Sequence, residues 1–441
     1  MSFTTAQLCL AAPLRLGWGG LAVIAAFGGV ADGLAGQDVD ASALRPFFEA
    51  PNPALRREEA ARIAVAGVPF DQLLAQLRQG PEHVASVPRG ALEPTVVGED
   101  GHLHRYTLLI PQAYDPAVAW PVRFYLHGAT HYPARAPGGS WWPELDLVTG
   151  ESHISVLPMA WEGCLWWEYG QVEALSHILS SVKRVFNVDD NRVSLLGVSD
   201  GGAGVYFSAT HNPTPWAAFV PMIGNPKVLE NADYHPDGRT HAANLLMRSL
   251  FVVNTREDMT HPPSIIHPFI ERYRAMGVDL EFHEYAGGHD LAWWGSASPG
   301  MEAFLSDHVR DPHPDTLRWV VDRTDRYNRV HWLVVDELGS SNGPKRAEAL
   351  SRIGRDGRVS AVWATRSGNT FEIETHRARR IRVLISPDEI DLDQPVRVTV
   401  NGVVRFEGPV SPDPEVLMRW AAVDFDRTML YAAEIAIEIP R

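Results

Sequence analysis

A serine lies among glycines in the stretch SLLGVSDGGAGVYF, where one short apolar run stops and another begins. Gly197, Ser199 and Gly201 form a G-x-S-x-G pattern between a predicted strand and a predicted helix over 202–209. Glycines two residues before and after the serine permit a turn tight enough to keep its hydroxyl clear of neighbours. The pattern therefore predicts that Ser199 is a nucleophile. The alternative is a glycine-rich turn in which Ser199 only caps a helix.

A serine nucleophile needs a base that takes its proton and an acid that holds the base. After a turn of this kind the acid and then the histidine follow along the chain, in loops behind late strands. Asp258 follows the strand-like run SLFVVN and is the predicted acid, with Glu257 as its competitor. His289 follows LEFHEY in a glycine-rich loop and is the predicted base. His283 lies inside a predicted strand and His261 beside two prolines, so we expect structural roles for both.

Negative charge that develops on a carbonyl oxygen needs hydrogen-bond donors aimed at that oxygen. The backbone amide of Asp200, directly after the serine, is the first predicted donor of this oxyanion hole. We assign the second donor to Ala129, with Gly128 as the alternative, because both follow the strand-like run PVRFYL. His127 precedes them, and we expect it to brace the loop rather than to act as a base.

Aromatic residues are frequent near these positions in the sequence. We place His127, Trp142, Trp167 and Trp293 along the substrate cleft, where rings can stack on a sugar or phenol or line an apolar pocket. The alternative is that the tryptophans pack in the core or beneath loops. The 18 histidines show no recognisable zinc spacing, so no metal site is predicted.

The elements that must position these residues alternate between strands and helices over 93–312. Strand-like runs such as RYTLLIP, ISVLPM and AAFVPMIG are separated by helical patterns such as QVEALSHILSSVKRVFNV and SIIHPFIERYRAMG. This alternation predicts the α/β class, with a mostly parallel sheet flanked by helices. Residues 37–92 have helical patterns and are expected to pack on that domain. Alternating runs separated by turn signals predict an antiparallel β-sandwich over 315–441.

The first 36 residues differ from the rest. Arg15 precedes an apolar, small-residue stretch that ends near Gly33-Leu34-Ala35, the layout of a signal peptide over 1–36. An apolar helix retained in the mature protein is the alternative. No other run is long enough to cross a bilayer, so we expect a secreted or periplasmic protein without stable membrane insertion. Cys9 lies in this segment and Cys164 is expected to be a buried thiol, so no intrachain disulfide is predicted.

Composition narrows the classes of partner. An apolar content of 45% and a charged content of 21% are typical of a globular chain. The formal net charge of −15 argues against nucleic acid, because phosphate binding needs a basic surface. A small or oligomeric ester is the expected binding partner.

Four stretches together resemble the α/β-hydrolase superfamily: HGA at 127–129, VDDNRVSLLGVSDGGAG at 188–204, REDMTHPPS and YAGGHD. The chain looks most similar to bacterial serine esterases of the prolyl-oligopeptidase-like, feruloyl esterase and polyhydroxybutyrate depolymerase group, over roughly 93–310. The resemblance implies a serine hydrolase whose triad is Ser199, Asp258 and His289, with no metal or organic cofactor. The C-terminal region, with VNGVVRFEG, is similar to sandwiches appended to some secreted bacterial hydrolases.

We therefore expect a secreted serine hydrolase that cleaves carboxylic esters through an acyl-enzyme, acting on carbohydrate- or phenolic-linked esters. A prolyl-oligopeptidase-like peptidase would use the same triad. Residues 37–92 are too few for the propeller that restricts such enzymes to short peptides, which argues against this alternative. A third hypothesis is a carbohydrate- or surface-binding protein with an inactive core, against which the intact Ser, Asp and His argue.

Overall fold

The structure is a computed structural model that describes residues 43–84, 86–98, 101–131, 145–230, 240–340 and 359–440. The predicted signal peptide and the predicted cleft residue Trp142 lie outside these ranges. No helix in the described ranges has the length and apolar character needed to span a bilayer. The described helices are α1 (Arg45–Glu49), α2 (Pro53–Ala64), α3 (Phe70–Gln79), α4 (Tyr169–Val185), α5 (Asp200–His211), α6 (Pro263–Met276), α7 (Trp294–Asp307) and α8 (Pro414–Asp424).

The first nine strands form one sheet, in the order β1-β3-β5-β4-β6-β7-β8-β9 with β2 paired to β3. Strands β4 to β9 run parallel to one another, and β1 to β3 add an antiparallel edge that begins where β3 pairs with β5. The strands are β1 (Gly90–Leu92), β2 (Thr95–Val97), β3 (Leu103–Ile110), β4 (Trp120–Leu126), β5 (Ile154–Pro158), β6 (Val188–Val198), β7 (Ala218–Met222), β8 (Ser249–Thr255) and β9 (Asp279–Tyr285). The predicted mostly parallel sheet is confirmed.

Both faces of the central strands are buried, which explains why β4, β5, β7 and β8 are mostly apolar. In β4, Phe124 contributes to one core and its neighbour Tyr125 to the other; Val252 and Val253 divide in the same way in β8. Helices α4, α5 and α6 cover the first face, whereas α7 covers the second. The carboxyl ends of the parallel strands thus meet at one edge, between two layers of helix.

The N-terminal helices differ from the prediction in two ways. Helix α2 begins where the Asn52 side chain accepts a hydrogen bond from Leu55 N at 2.9 Å, as the sequence indicates. The apolar faces of α1 to α3 pack against α8, near the C-terminus, which the prediction did not include, and Arg184 Nη1 of α4 donates to the carbonyl oxygen of Glu49 at 3.5 Å. The helical prediction through residue 92 is wrong at its end, because β1 joins the main sheet.

The C-terminal region contains two sheets around one shared apolar core, as the sandwich prediction requires. Their strand orders are β10-β13-β14-β16-β17 and β11-β12-β15-β18. The predicted antiparallel pairing is wrong for β14 and β16, which are parallel. The strands are β10 (Thr316–Val321), β11 (Arg329–Val330), β12 (Leu333–Leu338), β13 (Ser360–Ser367), β14 (Thr370–His376), β15 (Ala378–Ile385), β16 (Val396–Val400), β17 (Val403–Gly408) and β18 (Ala433–Glu438).

A buried histidine beside the nine-stranded sheet makes the stability of the fold depend on pH. His153 precedes β5 and is 5% exposed. Its burial, together with the nearby Arg123, lowers its pKa to about 3. The unfolded chain has a histidine pKa of about 6.5, so between these values the unfolded state binds a proton that the folded state does not. The free energy of unfolding therefore falls as the pH drops through this window, by about 1.4 kcal/mol per pH unit for this group.

Replacing His153 with glutamine is expected to remove that dependence. Between pH 7 and pH 5 the wild-type free energy of unfolding should fall by about 2 kcal/mol more than that of the variant. Urea unfolding of both proteins at the two pH values measures the difference. An identical decrease in both proteins would show that His153 is not the group responsible.

Candidate active site

Ser199 stands at a sharp turn between the end of β6 and the start of α5. Its backbone has φ 57° and ψ −117°, a conformation that residues other than glycine rarely adopt. Ser199 N donates to the carbonyl oxygen of Met222 on the neighbouring strand at 3.0 Å, which holds the turn in place. The serine is thus displayed at the carboxyl edge of the sheet, as the sequence pattern predicts.

The glycines around Ser199 are required by close backbone contacts. A Cβ atom at Gly201 would lie 2.0 Å from the carbonyl oxygen of Leu126, and one at Gly197 would lie 2.3 Å from the carbonyl oxygen of Gly201. Both partners are backbone atoms of buried elements, so they cannot turn aside as a side chain can. These contacts explain the spacing of the two glycines.

The substitution Gly201→Ala is expected to destabilise the fold by at least about 3 kcal/mol. Gly295→Ala is the matched control, because a Cβ atom at Gly295 in α7 meets nothing within 4 Å. The control should leave stability unchanged or raise it by up to about 1 kcal/mol. Urea unfolding of both variants tests the contrast, and two equal stabilities would contradict it.

The structure brings Ser199, His289 and Asp258 together. Ser199 Oγ lies 2.8 Å from His289 Nε2, and His289 Nδ1 lies 2.7 Å from Asp258 Oδ2. The three residues follow β6, β9 and β8, whose carboxyl ends share one edge of the sheet. With Nδ1–H donating to the carboxylate, Nε2 is left as the acceptor for the serine proton. This is the geometry of a nucleophile, a base and an acid.

Asp258 is held as a carboxylate. Its side chain is buried, and Oδ1 accepts hydrogen bonds from the backbone N–H groups of Thr260 at 2.8 Å and His261 at 2.7 Å. Burial alone would raise the pKa of Asp258, but the His261 N–H and the His289 hydrogen bond outweigh it, so the pKa lies below its ordinary value. Asp258 is therefore ionised at neutral pH and holds the orientation of the imidazole.

The rival residues have other partners. Glu257 Oε2 accepts from Gly287 N at 2.5 Å, which ties the loop before His289 to the loop of the acid. His261 Nδ1 donates to the carbonyl oxygen of Ile223 at 2.7 Å, and burial lowers the pKa of His261. The His261 ring nevertheless lies 5.0 Å from that of His289, edge to face, so it forms part of the wall of the site. Its position beside two prolines did not predict this contact.

The predicted oxyanion loop lies directly against the serine. A Cβ atom at Gly128 would be 2.9 Å from Ser199 Cβ, and Ala129 has φ 55°, in the left-handed region. The Asp200 carboxylate fastens the loop, because Thr130 N and Thr130 Oγ1 donate to its Oδ2 at 2.9 and 3.1 Å. Asp200 is also the first residue of α5, and the first backbone N–H groups of a helix have no acceptor within that helix. Sequence reasoning missed the contact between Asp200 and Thr130.

His127 braces this loop, as expected. Its Nδ1 donates to the carbonyl oxygen of Gly128 at 2.7 Å, and its Nε2 accepts from Ala160 N at 3.0 Å. Trp166 Nε1 donates to the carbonyl oxygen of His127 at 2.8 Å. His127 is buried, so its placement along the substrate cleft is wrong.

The tryptophans predicted for the cleft are in the interior. Trp167 is buried in the core beneath α4, and Trp293 is buried on the other face of the sheet. Trp293 Nε1 donates to the carbonyl oxygen of Asp290 at 2.6 Å, and its ring packs near Trp294. The cleft prediction is therefore wrong for Trp167 and Trp293, which were expected only from their aromatic character. Cys164, predicted to be a buried thiol, is buried, and its Sγ donates to Gln171 Oε1 at 3.1 Å.

Within the described ranges, one group of three side chains brings possible metal-ligand atoms close together. It comprises Asp258, His261 and His289, whose candidate ligand atoms all lie within 4.8 Å of one another. Asp258 Oδ2 and His289 Nδ1 already share a hydrogen bond, and His261 Nδ1 donates a hydrogen bond to the carbonyl oxygen of Ile223. A metal ion bound there would have to displace the contact that orients His289.

Together, the strand order, the tight turn at Ser199 and the histidine after the last parallel strand define the α/β-hydrolase fold. No protein-family model matches the chain. The chain is 27% identical over 130 residues to the bifunctional acetylxylan esterase/xylanase XynS20E of Neocallimastix patriciarum. These 130 residues are 29% of this chain and 18% of that protein.

Two solved structures show partial similarity. The structure of a thermostable esterase aligns with a TM-score of 0.40 and 17% identity, over 50% of this chain and 63% of the other. A ferulic acid esterase aligns with a TM-score of 0.39 and 19% identity, over 49% of this chain and 97% of the other. The chain thus spans less than a fifth of the length of the curated relative and under two thirds of the thermostable esterase.

Proposed function

We propose that this chain is a serine hydrolase that cleaves carboxylic esters, with Ser199 as nucleophile, His289 as general base and Asp258 as the acid that orients it. One observation carries the proposal: a continuous line of hydrogen bonds from Asp258 through His289 to a serine held at φ 57°. A serine that only caps a helix does not need this pair of partners. The same line argues against a binding protein with an inactive core.

In the proposed first step, Ser199 Oγ attacks the ester carbonyl carbon while His289 Nε2 takes the hydroxyl proton. The charge on the carbonyl oxygen is stabilised by the amides of Asp200 and Ala129, as assigned from the sequence. His289 then gives its proton to the leaving alkoxide, which departs as an alcohol. The acyl group remains bonded to Ser199.

In the second step, water attacks the acyl-enzyme carbonyl carbon and His289 takes one of the water protons. The bond between the carbonyl carbon and Ser199 Oγ breaks, His289 returns the proton to Oγ, and a carboxylic acid leaves. Asp258 stays ionised throughout, which agrees with the direction of its pKa shift, and it stabilises the imidazolium that forms in both steps.

For the substrate, we propose esters attached to carbohydrates or phenols, such as acetylated xylan or feruloyl esters. The curated relative named as an acetylxylan esterase/xylanase supports the first of these. We also propose export through the segment 1–36, which agrees with a polymeric substrate outside the cell. N-terminal sequencing of the protein recovered after expression in a bacterial host tests this: an unprocessed Met1 in all fractions would contradict it.

A panel of substrates tests the proposed activity. p-Nitrophenyl acetate and butyrate, methyl ferulate and acetylated xylan are incubated with the full chain, beside a proline-containing peptide p-nitroanilide. We expect hydrolysis of at least one ester, with kcat/KM above roughly 10⁴ M⁻¹s⁻¹ for a suitable substrate. Cleavage of the anilide with no ester hydrolysis would favour the peptidase alternative, and no turnover at all would contradict a hydrolase.

A further inference from the structure

His261 lies beside the proposed catalytic residues without being one of them. Its ring meets that of His289 edge to face, with 5.0 Å between the ring centres. A nitrogen of His261, a nitrogen of His289 and a carboxylate oxygen of Asp258 all lie within 4.8 Å of one another. Because His289 Nε2 contacts Ser199 Oγ at 2.8 Å, a substrate that reaches this oxygen comes close to the His261 ring as well.

Several contacts fix the position of His261. Its backbone N–H donates to Asp258 Oδ1 at 2.7 Å, and Pro262 and Pro263 follow it at the start of α6. A proline fixes its own backbone and restricts that of the residue before it. The side chain is held separately, because Nδ1 donates to the carbonyl oxygen of Ile223 at 2.7 Å. The ring therefore has little freedom to turn away from the site.

The acceptor of this hydrogen bond belongs to a strained residue. Ile223 follows β7 directly and has φ 41°, in the left-handed region that a β-branched residue rarely adopts. Its N–H donates to the carbonyl oxygen of Val253 at 2.6 Å, which holds the strained conformation in place. Such strain occurs preferentially at functional sites. Here it accompanies the hydrogen bond that orients His261.

The same hydrogen bond determines which ring nitrogen carries the proton. A carbonyl oxygen only accepts, so the proton is on Nδ1. Burial lowers the pKa of His261 below its ordinary value, so the ring is neutral at pH 7 and Nε2 has a free lone pair. Nε2 has no hydrogen-bond partner within the described ranges, and the side chain is only half-buried. Because Nδ1 is directed at the end of β7, Nε2 is directed away from the sheet, toward the open side of the site.

We propose that His261 Nε2 accepts a hydrogen bond from a hydroxyl group of the substrate close to the ester bond, so that the site prefers hydroxylated esters. This inference rests on the proposed function, in which Ser199 and His289 act on the ester bond itself. Ester and ether oxygens only accept, so within such a substrate the hydroxyl is the donor that fits Nε2. The hydroxyl belongs either to the alcohol part, as beside an ester on a sugar ring, or to the acyl part.

The preference follows from what happens to Nε2 when a substrate displaces water from the site. A hydroxylated ester replaces the water as a donor, whereas an ester that lacks the hydroxyl leaves the nitrogen unpaired. A site built around such a hydrogen bond discriminates strongly against substrates that cannot make it. His261 would thus contribute to specificity, whereas Ser199, His289 and Asp258 carry out the reaction.

Two pairs of esters, incubated with the full chain, test the proposal. 2-Hydroxyethyl acetate is compared with 2-methoxyethyl acetate for a hydroxyl in the alcohol part, and methyl glycolate with methyl methoxyacetate for one in the acyl part. The members of a pair differ only by a methyl group on one oxygen. We expect kcat/KM to be at least about tenfold higher for the hydroxylated member of one pair, and that pair identifies the part that His261 contacts.

Two variants of His261 connect this preference to Nε2. His261→Asn removes the Nε2 acceptor and keeps an amide that can donate to the Ile223 carbonyl oxygen, whereas His261→Phe keeps a ring beside His289. Each should reduce the preference to below about threefold. The preference is a ratio measured within one protein, so partial loss of folded enzyme cancels. His267→Asn is the matched control, because His267 is a partly exposed histidine of α6 that pairs with Glu284 at 2.8 Å.

The possible outcomes separate this proposal from the proposed function. Equal kcat/KM within both pairs, a preference that either His261 variant retains, or one that His267→Asn also loses would overturn the role of His261. Turnover of p-nitrophenyl acetate without hydrolysis of any of the four esters would also overturn it, since a nearby hydroxyl would then not promote recognition. Failure to hydrolyse every ester, p-nitrophenyl acetate included, would contradict the proposed function itself.

Discussion

Ser199→Ala is expected to lower kcat/KM for ester hydrolysis by at least roughly 10⁴-fold, since losing the nucleophile removes the covalent route entirely. The small residual rate would come from binding and from the oxyanion donors alone. Fold stability should change little, because the Oγ atom contacts the partly exposed His289 rather than a packed core. Steady-state kinetics on the best ester of the panel measure the effect.

The matched control for this variant is Ser208→Ala in the same helix. Ser208 is buried in α5, and its Oγ has no hydrogen-bond partner among the described residues, so its loss removes little. Its kcat/KM should stay within about twofold of wild type. Loss of activity in both variants would indicate damage to α5 rather than loss of a nucleophile.

Asp258→Asn has the second largest expected effect, a decrease in kcat of roughly 10⁴-fold at neutral pH. An amide in place of the carboxylate donates to His289 Nδ1 where the carboxylate accepts. This moves the imidazole proton to Nε2, which then cannot take the proton of Ser199. The substrate KM should change far less, because Asp258 is buried and does not reach the solvent-facing side of the imidazole.

Glu257→Gln distinguishes the acid from its neighbour. Glutamine keeps an oxygen that can accept from Gly287 N, the partner of Glu257, so we expect a loss of less than about tenfold. Kinetics of the two variants at pH 7 make the comparison. A larger loss in Glu257→Gln than in Asp258→Asn would show that Glu257, and not Asp258, is the acid that orients His289.

The sequence predicted the parts of the site that depend on chain order along parallel strands. Ser199, Asp258 and His289 each follow a run that the sequence indicated as a strand, and parallel strands place their carboxyl ends together. Gly197 and Gly201 were informative because a backbone contact excludes a side chain at both positions.

Contacts between residues far apart in the sequence were not predictable from local patterns. The hydrogen bonds from Thr130 to Asp200 join a loop to the start of α5, 70 positions apart, and no spacing rule connects them. Aromatic character did not distinguish a cleft from a core for Trp167 and Trp293, because both environments favour a large ring. Packing of the N-terminal helices on α8 likewise depends on a helix that the β-rich pattern over 315–441 concealed.

Covalent labelling with a fluorophosphonate, followed by peptide mass spectrometry, tests the central claim most directly. The reagent phosphonylates a serine only where a base activates it, and fluoride leaves. We predict one adduct, on Ser199 in the wild-type chain, with none in Ser199→Ala and much slower labelling in Asp258→Asn. A wild-type chain that stays unlabelled, or an adduct that persists in Ser199→Ala, would contradict Ser199 as the nucleophile.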